Sequence, residues 1–183
     1  MQSKTHSELS KSATVFRYWG APPADIQDRC IFCRIASGAT RPGLGESGQL
    51  LEASSRAVCF EDIAPVAAAH VLVIPRAHIK NWRYFERGKE HAALVKEMLD
   101  MGKRALAKLG HGEAVERGDI RAGFIRPPFN SVHHVHMHVM TSAFEPSVGW
   151  MHRLGFGSSL FFADANAVIA ELEPEPVPPN SRI

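Results

Sequence analysis

The stretch NSVHHVHMHVM, Asn130 to Met140, constrains the fold more than any other, because it sets His134, His136 and His138 at every second place. Side chains alternate across a β-strand, so these three imidazoles point to one face while His133, Val135, Met137 and Val139 point to the other. Neighbours two apart on one face stand roughly 7 Å from each other, and crowding titratable rings there needs partners or a ligand to offset lost hydration. Scattered histidines are ordinarily surface or core residues. A row of them marks a functional face, expected to meet something anionic or metallic.

The whole chain limits what that face can serve. At 183 residues it suits one domain with a sizeable core. Lysine plus arginine number 21 against 19 acids, a net charge of +2, which argues against a strong polyanion-binding design and leaves room for a local basic patch. No apolar run approaches the roughly 20 residues of a membrane helix, so no membrane association is expected. Cys30, Cys33 and Cys59 are an odd count, unlike the disulfide framework of a secreted domain. That implies a reducing compartment, with the cytoplasm expected and the nucleus as a second address. Taken alone, the pair in CIFC leaves a redox dithiol, half a zinc site and chance all open.

Along the chain, residues 1–27 read as a Ser-rich flexible arm without the apolar core of a secretory signal. Residues 28–173 read as the folded domain, and the Pro-rich residues 174–183 as a disordered tail. Within the domain, DRCIFCRIASG forms a short helical turn anchored by Ile31, Phe32 and Ile35 and stopped by Gly38, followed by a Gly- and Pro-rich loop. QLLEAS and RAVCFEDI are strand candidates. In AHVLVIPRAHI the run Val71 to Ile74 is apolar on both faces, as in a central strand, with Pro75 closing it. From Glu90 to Leu109 the period changes: Leu94, Met98, Met101, Ala105 and Leu109 recur at helical spacing, and GHG ends the helix. A strand over Ile120 to Ile125 precedes the histidine strand, SAFEPSVGWMHRLGFGSS is irregular, and DANAVIAELE closes as a short helix capped by Asp164. The sum is an α+β fold: an antiparallel meander sheet, one long helix and a short C-terminal helix.

HVHMHVM, His134 to Met140, resembles the signature of the histidine triad superfamily, in which apolar residues separate the histidines. FEDIAPVAAAHVLVIPRAHI resembles the upstream strand pair of that superfamily's Hint branch. AGFIRPPFNSVHHVHMHV and FFADANAVIAEL look most like its third nucleotide-binding group, a relative of aprataxin. The resemblance implies hydrolysis at the α-phosphorus of adenosine 5′-monophosphoramidate or acyl-adenylate substrates, through a nucleotidyl-histidine intermediate that releases AMP. It implies His136 as nucleophile, which requires a neutral imidazole held by its other nitrogen. His138 would stabilise charge and assist the leaving group, and Ser131 would reach the phosphate. Asp62 would accept from the ribose hydroxyls. Phe60, Ile63, Phe32 and Ile35 would line the slot for a purine base, and His70 would stand beside the triad.

The same resemblance gives CIFC a meaning. Cys30, Cys33, His78 and His134 would hold a structural zinc, making His134 structural rather than catalytic; no organic cofactor is implied. PPFNS departs from the Gly-rich approach common in Hint proteins. Proline has no amide hydrogen to offer a phosphate, which leaves Asn130 as a side-chain donor. Hint relatives pair through the long helix and an adjacent strand, so a homodimer is expected.

Of three rival readings, two are weaker and the third stays open. HxH also binds catalytic metals, but an amidohydrolase barrel needs some 250 residues and a cupin many short strands. Aprataxin-like deadenylation of DNA 5′ ends would use the same nucleophile, yet no zinc finger follows and no basic run is present, so nucleic acid is not the expected partner. A nucleotide-binding interaction protein would share the same pocket.

Overall fold

A computed structural model of the protein describes residues 29–39 and 49–174. The expected arm over 1–27, most of the Gly- and Pro-rich loop and the tail beyond Pro174 lie outside these residues. Six strands form one antiparallel sheet: β1 (Glu52–Ala53), β2 (Ala57–Glu61), β3 (His70–Pro75), β4 (Ile120–Ile125), β5 (Met137–Thr141) and β6 (Phe162–Asp164). Their order is β1-β2-β3-β5-β4-β6. The meander holds through β3. The chain then crosses over through the long helix, lays β4 one place out, and returns β5 into the gap, so the histidine strand is central.

Among the described residues there are five α-helices: α1 (Ile31–Ala36), α2 (Lys89–Leu106), α3 (Gly112–Glu116), α4 (Trp150–Gly157) and α5 (Ala165–Leu172). On one sheet face, Leu94, Val95, Met98 and Met101 of α2 and Val168 and Ile169 of α5 pack with Val71, Val73, Met137 and Val139. This is the face that the helical spacing and the strand alternation both anticipate. Gly102 is needed where α2 crosses β5, because a Cβ there would lie 2.5 Å from Val139 Cγ2. On the opposite face, Phe32, Cys33 and Ile35 of α1 cover Val58, Phe60, Leu72 and Ile74. β3 is buried throughout, as its unbroken apolar run requires.

Local differences from the sequence-based expectation have local causes. α2 ends at Leu106, three residues before the expected Leu109. A wide turn over Ala107–His111, with Gly110 at φ 89°, leads into α3; only glycine adopts that backbone without strain. Strand β5 begins at Met137 rather than carrying all three histidines. Its pairing with β3 ends at Val73 opposite Met137, and the extended approach is held instead by Val135 N–H donating to Ile79 O at 2.6 Å. The segment expected to be irregular contains α4, and FAD, Phe162 to Asp164, forms β6 along the outer edge of β4. Asp164 caps α5 as expected, accepting from the amides of Asn166 and Ala167. No helix among the described residues is long and apolar enough to cross a membrane.

Candidate active site

Alternation along the histidine segment separates two environments. Val135, Met137 and Val139 enter the α2 core, while His134, His136 and His138 turn to the α1 face, all three buried. The rings of His136 and His138 lie 5.0 Å apart, and Phe32 meets His136 edge-on at 5.2 Å. His133 is exposed.

Hydrogen bonds fix which nitrogen of each ring is available. His136 Nδ1–H donates to His134 O at 2.8 Å, so Nε2 keeps its lone pair. His70 Nδ1 accepts from Val66 N–H at 3.4 Å, which leaves the proton of the neutral ring on Nε2, 2.9 Å from His138 Nδ1. His138 therefore accepts at Nδ1 and carries its own proton on Nε2, a buried atom with no partner among the described residues. Asp62 Oδ2 lies 3.4 Å from His70 Nε2 and 3.8 Å from His138 Nδ1, and Asp62 Oδ1 accepts from Ala64 N–H. Burial lowers the pKa of His70, His136 and His138, outweighing the opposite pull of Asp62 on His70. Near pH 7 the group offers one basic nitrogen at His136 and one proton at His138.

His136 and His138 open onto a cleft of about 520 Å³, which Ser131 and Asn130 also line. Asn130 Nδ2 donates to Val132 O at 3.1 Å and lies 3.4 Å from His133 Nδ1, so its amide braces the loop. The other wall was not legible as functional: Trp150, Met151, Leu154 and Phe156 of α4, with Phe161 beyond it. Phe156 is anchored edge-on to His138 at 4.9 Å and to His70 at 5.6 Å. Trp150 and Leu154, four apart, carried a helical signal, but Gly155 and Gly157 each weaken a helix by about 1 kcal/mol and masked it. Of the four residues expected around a base, Phe32, Phe60 and Ile35 are buried together under α1, whereas Ile63 is exposed. None of them lines the large cleft; Phe32 meets His134 and His136 edge-on and packs on Phe60.

A second cluster lies beyond His134. The ligand atoms of Cys30, Cys33, His78 and His134 all fall within 4.8 Å of one another. Cys33 Sγ lies 3.2 Å from His78 Nδ1 and 3.4 Å from His134 Nδ1, and Cys30 Sγ 3.5 Å from His134 Nδ1. His134 Nε2–H donates to Pro75 O at 2.9 Å, directing the Nδ1 lone pair at the sulfurs. Burial raises the Cys30 thiol, but hydrogen bonds to His134 and His78 outweigh it and bring its pKa to about 5. Burial and then the Cys30 charge push Cys33 up to about 12. Two sulfurs and two imidazole nitrogens at this spacing could hold a metal ion. Asp62, His70 and His138 form another compact donor group, already joined through their own hydrogen bonding.

The family described as "Scavenger mRNA decapping enzyme C-term binding" matches residues 29–153. The adenosine 5′-monophosphoramidase HINT3 of Xenopus tropicalis is 36% identical over 146 residues, covering 79% of this chain and 87% of the relative. The bifunctional adenosine 5′-phosphosulfate phosphorylase/adenylylsulfatase HINT4 of Arabidopsis thaliana is 31% identical, covering 82% of this chain and 96% of the relative. Among solved structures, an aprataxin ortholog, Hnt3, in complex with DNA superposes with a TM-score of 0.56 at 18% identity, covering 81% of this chain and 76% of that one. At that identity the likeness is one of fold alone. With its spaced histidines turned to one face of such a sheet, the chain belongs to the histidine triad superfamily.

Proposed function

We propose that the protein is a nucleotide hydrolase that cleaves adenosine 5′-monophosphoramidates or acyl-adenylates at the α-phosphorus and releases AMP. The observation that carries this reading is the polarised pair at the cleft, a lone pair on His136 Nε2 beside a proton on His138 Nε2. In the first step His136 Nε2 forms a bond to phosphorus as the bond to the leaving amine breaks, and His138 gives that amine its proton. In the second, water attacks phosphorus, its proton passes to His138, and the bond to His136 breaks. AMP leaves and both imidazoles return to their starting state. Names of two relatives, a phosphoramidase and an adenylylsulfatase, support chemistry at the same phosphorus.

In this reading Asp62, which follows β2, receives the ribose hydroxyls, Phe32 and Ile63 flank the base, and Ser131, which lines the cleft, donates to the phosphate. Zinc is the metal we propose for the Cys30, Cys33, His78 and His134 cluster. In a tetrahedral zinc site, sulfur and nitrogen ligands stand about 3.6 Å apart, close to the separations found here. The metal would fasten α1 to the sheet and take no part in the reaction. A homodimer through α2 and an adjacent strand belongs to this reading; within the chain β6 already pairs with the outer edge of β4 and α5 packs against α2, which leaves the remaining face of α2 for a partner. The alternative, DNA deadenylation, is not favoured: among the described residues no lysine or arginine lines the cleft.

The test is AMP release from an adenosine phosphoramidate by wild type and His136→Ala, with an adenylated nicked DNA in parallel. Phosphoramidate turnover lost in the variant is the expected result. Turnover of DNA alone would move the protein to the repair reading.

A further inference from the structure

Strand pairing stops short of the nucleophile. The ladder between β3 and β5 ends with Val73 opposite Met137, so His134, Val135 and His136 lie outside its regular hydrogen bonding. Two bonds tie this segment to β3 and the turn after it: Val135 N–H to Ile79 O at 2.6 Å and His134 Nε2–H to Pro75 O at 2.9 Å. The sulfurs meet the other side of the His134 ring, with Cys33 Sγ 3.4 Å and Cys30 Sγ 3.5 Å from its Nδ1. The His134 carbonyl in turn accepts from His136 Nδ1–H at 2.8 Å. Phe32, between the two cysteines in sequence, meets the His134 ring edge-on at 5.9 Å and the His136 ring at 5.2 Å. The cysteine pair thus reaches the nucleophile by two routes, one through His134 and one through Phe32.

The proposed hydrolysis makes no use of these sulfurs, yet their placement suits oxidation. Cys30 precedes α1 with extended backbone, φ −97° and ψ 113°. Its Sγ stands within 4.8 Å of Cys33 Sγ, so the two can join by rotation at Cys30 without unwinding the helix. Cys30 keeps 9% of its surface exposed, next to the exposed Arg29, which admits a small uncharged oxidant and turns away a bulky one. Cys59 is no rival partner, because it is fully buried in the α2 core on the opposite sheet face.

We propose that Cys30 and Cys33 are a reversible oxidation site, converted by hydrogen peroxide to a disulfide that withdraws both sulfurs from His134 and unseats His136. The Cys30 sulfur attacks one peroxide oxygen, the O–O bond breaks, and the departing hydroxide becomes water as Cys30 becomes a sulfenic acid. The Cys33 sulfur then attacks the Cys30 sulfur, the S–O bond breaks, and the second oxygen leaves as water. Two electrons pass from the sulfurs to peroxide. The two protons come from the thiols or, where a metal holds the thiolates, from solvent. The disulfide no longer offers thiolates, so a metal held by the cluster is released. A small dithiol restores the pair by exchange. The effect on turnover rests on the hydrolase reading of His136; the oxidation itself does not.

The experiment treats full-length wild type and Cys59→Ala, both reduced and supplied with zinc, with hydrogen peroxide. Peptide mass analysis is expected to find a Cys30–Cys33 disulfide, two hydrogens lighter than the dithiol, with Cys59 of wild type still free. Zinc bound before treatment should appear in solution, and the Val135 amide should lose protection from hydrogen exchange. On an adenosine phosphoramidate kcat should fall about 10²-fold, the cost of a displaced reacting group, with KM little changed. A dithiol with zinc should restore it, and Cys59→Ala should follow wild type throughout. Free thiols at Cys30 and Cys33 after treatment, or a disulfide to Cys59, would overturn the inference. So would a Cys30–Cys33 disulfide that leaves kcat and the Val135 amide unchanged, or a loss of turnover that the dithiol does not reverse. Reduced wild type that turns over no phosphoramidate would sink the hydrolase reading alone, since the disulfide and the Val135 amide are read without turnover.

Discussion

In the proposed reaction His138 acts through a proton whose position is set two hydrogen bonds away, at Val66 N–H. Replacing it with alanine removes the donor to the leaving group but leaves the His136 nucleophile. Loss of a positioned general acid costs about 10²–10⁴-fold, and an amine leaving group should show the full effect. An acyl-adenylate, whose carboxylate departs without a proton, should lose much less. Measured kcat on both substrate types checks this; equal losses would contradict the assignment. The period of two made the common face of His134, His136 and His138 legible, because alternation depends on the backbone alone. It did not show that the His134 ring turns to Cys30 and Cys33. That orientation is set by Pro75 O, fifty-nine residues earlier in the chain.

Helix α1 is only six residues long, and its Cys30 N-cap makes no side-chain capping bond. Apolar contacts with Val58, Phe60, Leu72 and Ile74 hold it, together with the sulfur–imidazole cluster. Metal analysis of purified protein should therefore find one zinc per chain. Cys33→Ser should lose it, with a stability loss on the order of a few kcal/mol in denaturant unfolding. Full stability of the variant and no metal in wild type would contradict the zinc assignment. Elements with strong local periodicity were legible, β4 to the residue and α2 to within three residues. Those made by remote pairing were not: β6 is three residues long and exists through its register with Gly123 to Ile125, which no local pattern encodes. α4 is similar, since Phe156 and Arg153 hold a segment whose glycines argue against a helix.

The whole molecule keeps a group of neutral imidazoles inside the sheet, which ties its stability to pH. Burial lowers His70 and His138 below their ordinary value of 6.5, so on acidification the unfolded chain takes up protons before the folded one does. Stability from these residues is complete above about pH 6.5 and is lost as pH falls toward their folded values. Asp62 tempers the effect at His70. Urea midpoints should drop between about pH 7.5 and about pH 5.5, each group adding a slope of at most about 1.4 kcal/mol per pH unit. A flat profile would show that these rings are not buried neutral. The sequence made the α+β class and the site strand readable because both follow from local periodicity. The place of β5 between β3 and β4, which puts Asp62 and the cleft on opposite sides of the triad, comes from the crossover and could not be read locally.

The central claim is that phosphorus passes through His136. Rapid acid-sparing quench of full-length protein mixed with an adenosine phosphoramidate, followed by peptide mass analysis, tests it most directly. An adenylyl group on the peptide holding His136, formed and lost at rates that account for AMP release and absent from His136→Ala, is the expected result. AMP accumulation with no adduct, or an adduct on another residue, would contradict it.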